Sequence, residues 1–150
     1  MRDLIYDWLY GGSVALLFTF DRVLKTALLT GAGSGVLNIF PITVTSHINK
    51  SGALGIPFSN YIIALVSAVF IFFLIMYFFL SIEKRKMFRA RSLFAVIAGS
   101  LSNIIDRVFI GGVVDYIAIH PALPVLNIAD ALIAGGLVSW FISLRGAKIK

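Results

Sequence analysis

The stretch YIIALVSAVFIFFLIMYFFLSI, residues 61–82, decides the fold class. It holds 22 residues without a single charge. A helix crosses the hydrocarbon of a bilayer with about 20 mostly apolar residues, so this segment reads as a transmembrane helix. Working outward, three further segments follow the same pattern. Residues 126–144 carry one acid, Asp130. Residues 8–30 are apolar until Asp21-Arg22 and Lys25. Residues 92–108 are short, rich in small residues, and end in Asp106-Arg107.

The composition agrees. Of 150 residues, 59% are hydrophobic and only 13% charged. A soluble domain of this size could not hide that much apolar surface, so lipid must act as solvent for much of the chain. The expected fold is an all-α membrane protein of four transmembrane helices, built as a single domain over residues 1–150. Asp3 and Asp7 spoil the positive start of a cleavable signal peptide, so the first apolar run is expected to be retained. There are no cysteines, and His47 and His120 lie far apart. Thiolate chemistry is excluded, and neither a metal nor another cofactor is expected.

Thirteen lysines and arginines against seven acids give a net charge of +6. The placement of these charges points to topology rather than to nucleic acid. Five basic residues fall in 83–91, three in the C-terminal tail, and Arg2 at the start. The positive-inside rule then places both termini and the 83–91 loop in the cytoplasm. Asp21, Asp106, Asp115 and Asp130 all gather toward the opposite, outer ends of the helices.

Between the first two spans, residues 41–49 (PITVTSHIN) partly alternate apolar with polar and are β-branched. They read as a strand or hairpin resting at the interface. Residues 109–125 contain Gly111-Gly112, Pro121 and Pro124, and read as a turn-rich lid or floor.

Ionised aspartates near a bilayer core are costly and usually face the bundle interior. Asp21 and Lys25 stand four residues apart on one helical face and can pair structurally. Arg22 can reach headgroups or a carboxylate. Asn103-Ile-Ile-Asp106 and Asn127-Ile-Ala-Asp130 repeat one spacing, which puts amide and carboxylate on the same face. Arg107 is expected to neutralise Asp106, leaving Asp115 and Asp130 without an obvious cation. Two close carboxylates tend to share a proton. One can then act as general base toward water while the other polarises a carbonyl. These residues alone leave three readings level: a peptidase, an ion or proton carrier, or structural pairing.

Four blocks resemble the lipoprotein signal peptidases (signal peptidase II). They are DRVLK at 21–25, NKSGALGIP at 49–57, GSLSNIIDR at 99–107 with GVVDY at 112–116, and LNIADA at 126–131. The resemblance implies an aspartic endopeptidase that removes signal peptides from diacylglyceryl-cysteine-modified prolipoproteins. It implies Asp115 and Asp130 as the catalytic dyad. Asn49, Asn103, Arg107 and Asn127 would line the site or contact substrate, with Asp106 in support. It also implies a β-cradle at the outer interface and residence in a bacterial plasma membrane. The expected partners are a prolipoprotein and membrane lipids, no nucleic acid is expected, and the expected state is a monomer. Ser51 and Ser102 stand where the family usually has glycine, which bears on how closely substrate and backbone approach. Two alternatives carry forward: a non-catalytic lipopeptide-binding relative, and a small cation or proton transporter.

Overall fold

The computed structural model describes residues 2–31, 37–39, 41–50, 59–83 and 86–146. Four long helices and three strands follow one another: α1 (Arg2–Leu29), β1 (Leu37–Ile39), β2 (Ile42–Asn49), α2 (Asn60–Glu83), α3 (Met87–Phe109), β3 (Val113–Ala118) and α4 (Ile128–Gly146). Ser51, one of the two departures from the usual glycines, lies outside the described residues.

The helix α3 is central and packs against each of the other three. Its buried residues Leu93 and Val96 meet Leu74 of α2, while Ala95 meets Val14 of α1 and Leu132 of α4. Small residues let α3 and α4 approach closely. A Cβ on Gly99 would stand 2.4 Å from the Ala129 carbonyl oxygen. The outward faces are apolar: Phe72 and Phe73 on α2, Leu16 and Val23 on α1 and Ile142 on α4 are all exposed. Such surfaces suit hydrocarbon, not water.

Among the described residues three helices, α2, α3 and α4, are long and apolar enough to cross a membrane. The fourth, α1, has the length at 28 residues but carries Asp21, Arg22 and Lys25 within it. The segment 83–91, expected as a loop, is helical from Met87 onward, because its basic residues find partners on the bundle. Arg89 bonds the Tyr77 hydroxyl at 2.9 Å and Arg91 pairs with Asp7 at 2.7 Å.

The strands form one antiparallel sheet in the order β1-β2-β3. A strand or hairpin was expected over 41–49, where the single strand β2 lies, but β3 was not expected. The turn residues at 109–125 mask a strand, VVDYIA, whose first four residues are buried. Gly111, at φ +77°, reverses the chain where α3 ends, a conformation that favours glycine. The strand then pairs with β2 in a register that sets His47 opposite Asp115 and Asn49 opposite Val113.

Candidate active site

Two strands, β2 and β3, and three helices, α2, α3 and α4, converge on one cavity of about 970 Å³. Its sheet wall presents His47 and Asn49 from β2 and Asp115 from β3. Its helical walls present Asn103 and Arg107 from α3 and Asp130 from α4. The candidate residues Asp115, Asp130, Asn49, Asn103 and Arg107 are therefore brought together.

Asp115 is 3% exposed. Its Oδ1 accepts from Asn127 Nδ2 at 2.7 Å and its Oδ2 from Asn49 Nδ2 at 3.2 Å. Burial pushes its carboxyl above the usual carboxylate range. The Asn49 bond opposes that rise, the nearby Asp130 charge adds to it, and the Asn127 bond opposes it again.

Asp130 sits in the first turn of α4, where the positive end of the helix dipole favours a carboxylate. Its Oδ1 accepts from Asn103 Nδ2 at 2.9 Å. Asn127 caps the helix. Its Oδ1 accepts from the Asp130 N–H at 2.8 Å, and Asp130 Oδ2 accepts from the Asn127 N–H at 3.2 Å. This reciprocal exchange is a capping box. Asn127 thus bonds both aspartate residues from one buried side chain.

Asp21, Lys25 and Asp106 are fully buried behind the cavity. Lys25 Nζ stands 3.0 Å from Asp21 and 2.8 Å from Asp106, and Arg22 pairs with Asp106. The neutralisation of Asp106 by Arg107 is therefore corrected. Successive residues point about 100° apart on a helix, so Arg107 turns into the cavity and donates to Asn60 at 3.1 Å. Similarly, Asn103 donates across to Asp130 rather than along its own helix to Asp106.

The buried acids hold the chain on either side of the cavity residues. Asp21 Oδ1 accepts from the Tyr116 hydroxyl at 2.7 Å and from the Ala129 N–H at 3.3 Å. Asp106 Oδ2 accepts from the Val114 N–H at 3.2 Å. The neighbours of Asp115 and Asp130 are thereby anchored to α1 and α3. Burial raises the Tyr116 phenol, followed by its bond to Asp21, so it stays a proton donor. Ser102 Oγ donates to Asp21 at 2.6 Å. This serine stands at a usual glycine position yet faces the α1 interface rather than the cavity. The sequence reading did not single out Tyr116, Asn60 or His47. The sequence signal for Tyr116 was its place at the end of the GVVDY block, beside an aspartate.

Residues 13–145 match the family described as signal peptidase (SPase) II. The chain belongs to the signal peptidase II family. A lipoprotein signal peptidase of Staphylococcus aureus (strain bovine RF122 / ET3-1) is 30% identical over 131 residues, covering 83% of this chain and 80% of the relative. That of strain MRSA252 matches to the same extent. Two solved structures, both titled as a bacterial membrane enzyme, share the fold. One has a TM-score of 0.81 at 26% identity and covers 96% of this chain and 90% of its own. The other has 0.76 at 27%, covering 93% and 92%. As a member of signal peptidase II the chain is a membrane-integral protease that processes lipoproteins. Neither the transporter nor the non-cutting alternative is favoured.

Proposed function

We propose that Asp115 and Asp130 are the catalytic dyad of this peptidase. The observation that carries this reading is their shared partner: Asn127 donates to Asp115 and exchanges capping bonds with Asp130 at the wall of one cavity.

The chemistry follows from the electrostatics. Two carboxyls at one cavity, one raised by burial and by its neighbour's charge, hold a single proton between them more readily than two charges. The pair titrates as a unit. The ionised member takes a proton from a water molecule, and the protonated member donates to the scissile carbonyl. The hydroxide equivalent adds to the carbonyl carbon. The tetrahedral species then collapses with proton return to the leaving amine, so no covalent enzyme intermediate forms. Asn49, Asn103 and Asn127 fix the directions of the two carboxyls. Arg107, on the same wall, holds the substrate backbone near the lipid-modified cysteine, and the sheet lies over the extended segment as a cradle. Asp21 and Lys25 serve as a structural pair, and Asp106 supports the wall from behind.

The same reading makes α1 the fourth span. Its apolar residues face outward, and two of its charges, Asp21 and Lys25, are turned inward and paired. Buried pairing of this kind lowers the cost of charge at membrane depth. Both termini then lie in the cytoplasm with the basic start of α3, and the cavity opens near the outer face of a bacterial plasma membrane. The enzyme works as a monomer among membrane lipids, both aspartates coming from one chain.

The test is cleavage of a diacylglyceryl-modified prolipoprotein by Asp115→Asn and Asp130→Asn variants in proteoliposomes. Each is expected to lose at least about a thousandfold in kcat, in keeping with removal of an acid or base together with its electrostatic role. Wild-type turnover in either variant would overturn the assignment.

A further inference from the structure

Four of the eight serines in the described helices, Ser13, Ser81, Ser92 and Ser143, return their hydroxyl to their own backbone. Ser13, Ser81 and Ser92 each donate to the carbonyl four residues earlier, at 2.8 to 2.9 Å. Ser67 of α2 and Ser100 of α3 differ. Both line the cavity, and neither makes a hydrogen bond to any of the described residues.

Their level in the bundle is fixed by a contact above them. Arg107 of α3 donates to Asn60 at the start of α2. The two helices run antiparallel, and each serine lies seven residues inward from its own member of that contact. At 1.5 Å per residue both stand roughly 10 Å deeper, at one depth on facing walls. On α3 the face runs Ser100, Asn103, Ile104, Arg107. Ser100 is therefore about one turn, roughly 5 Å, beneath the asparagine that holds Asp130.

The surroundings at that depth are apolar: Ile63, Val66, Phe70, Ile104 and Ile133 complete the wall. A charged ligand group would be disfavoured there. A neutral acceptor entering this space leaves water and has no solvent with which to bond, so a preset donor matters most for it.

We infer that Ser67 and Ser100 donate to a neutral carbonyl of the bound substrate just beneath the aspartates, making them specificity residues for the substrate. This rests on the reading of the cavity as the catalytic site. The shared chemistry is a neutral carbonyl oxygen. It belongs either to an ester of the cysteine-linked diacylglyceryl group or to the main chain of an unwound signal segment.

Alanine is the better helix former, so a Ser67→Ala, Ser100→Ala double variant keeps the helices intact. Its cleavage kinetics are measured on two synthetic lipopeptides, identical except that one carries a diester glyceryl group and the other a diether lacking both carbonyls. Two lost neutral hydrogen bonds correspond to roughly a tenfold or greater rise in KM, with the loss in KM rather than in kcat. A rise confined to the diester supports the inference and assigns the carbonyl to the lipid. An equal rise on both supports it and assigns the carbonyl to the peptide. An unchanged KM on both overturns it. The Asp115→Asn variant is assayed on the same two lipopeptides; full turnover there would instead defeat the reading of the site, a result separable from the serine outcome.

Discussion

Asn127 and Asp130 cap each other at the first turn of α4, each accepting the other's backbone N–H. The remaining free N–H groups of that turn are also taken: Ile128 donates to the Tyr116 hydroxyl at 3.2 Å and Ala129 to Asp21 at 3.3 Å. The start of a helix normally leaves such donors open. Here α1, β3 and the cap close them, and the consequence is a fixed direction for Asp130.

Asn127 combines two tasks that substitution can separate. Asn127→Asp keeps an acceptor for the cap but loses the amide donor to Asp115 and adds a negative charge beside it. Its kcat should fall at least about a hundredfold, and the added buried charge should lower the thermal midpoint in detergent. Asn127→Ala loses both, with an added stability loss of about 1 kcal/mol for the missing cap. Thermal unfolding and cleavage rates measured on both variants check this. Equal activity in Asn127→Asp and wild type would show that the amide donor is unimportant.

How much of this was legible in the sequence differs by element. Acids interrupting apolar helices stand out because hydrocarbon tolerates them poorly, so Asp21, Asp106 and Asp130 announced themselves. Lys25, four residues after Asp21, was legible as a partner for it, but the partners of Asp106 and Asp130 were not. Arg107 follows Asp106 in the chain, but adjacency on a helix separates directions, and the cations that reach Asp106 come from α1, some eighty residues earlier. Asn103 shows the same limit. Its spacing to Asp106 suggested a bond along α3, whereas the close approach of α3 to α4 at Gly99 brings Asp130 within reach instead. The strand β3 was hidden by its glycine and proline flanks, which signal turns more strongly than six residues signal a strand. The spacing of the blocks carried the family; the pairing within the site needed three dimensions.

The elevated Asp115 carboxyl ties activity and stability to pH in opposite senses. A carboxyl raised in the folded state binds its proton more tightly there than in the unfolded chain, so ionising it as pH rises through the folded value costs stability. The contribution is fully present at low pH and lost above the raised value. Asp115→Asn removes that loss. The variant should therefore match wild type in thermal midpoint at acid pH and exceed it near neutrality. Asn49→Ala removes a bond that holds the value down, so the acid limb of the kcat/KM profile should move to higher pH. An unmoved limb would show that Asn49 does not tune Asp115.

Lys25 is shared between Asp21 and Asp106, all three fully buried. Removing one member of a buried ion cluster leaves charge without compensation. Lys25→Met should cost about 3–5 kcal/mol, measured by unfolding in detergent. A double variant, Lys25→Met with Asp21→Asn, should recover part of the loss. The Arg91–Asp7 pair is partly exposed, so Arg91→Met should cost no more than about 1 kcal/mol. Comparable losses for the two lysine and arginine variants would contradict the buried character of the cluster.

Two glycines on the α3–α4 contact allow packing to be separated from catalysis. At Gly99 an added methyl would stand 2.4 Å from the carbonyl oxygen of Ala129, the residue that precedes Asp130. At Gly136 it would meet Val96 at 2.6 Å and the Ser92 carbonyl at 2.8 Å, farther down the bundle. Both clashes press on backbone or a stiff β-branched side chain, so both alanine variants should lose about 1–3 kcal/mol of stability. Their effects on activity should differ. Gly99→Ala pushes the first turn of α4 away from α3, stretching the 2.9 Å bond from Asn103 to Asp130, and a shift of about 1 Å at a reacting group can cost a hundredfold. Gly136→Ala leaves that turn in place. At a temperature where both variants remain folded, kcat should fall steeply for Gly99→Ala and stay within about threefold of wild type for Gly136→Ala. Parallel losses would mean that activity tracks overall stability and that the α3–α4 approach does not set the position of Asp130.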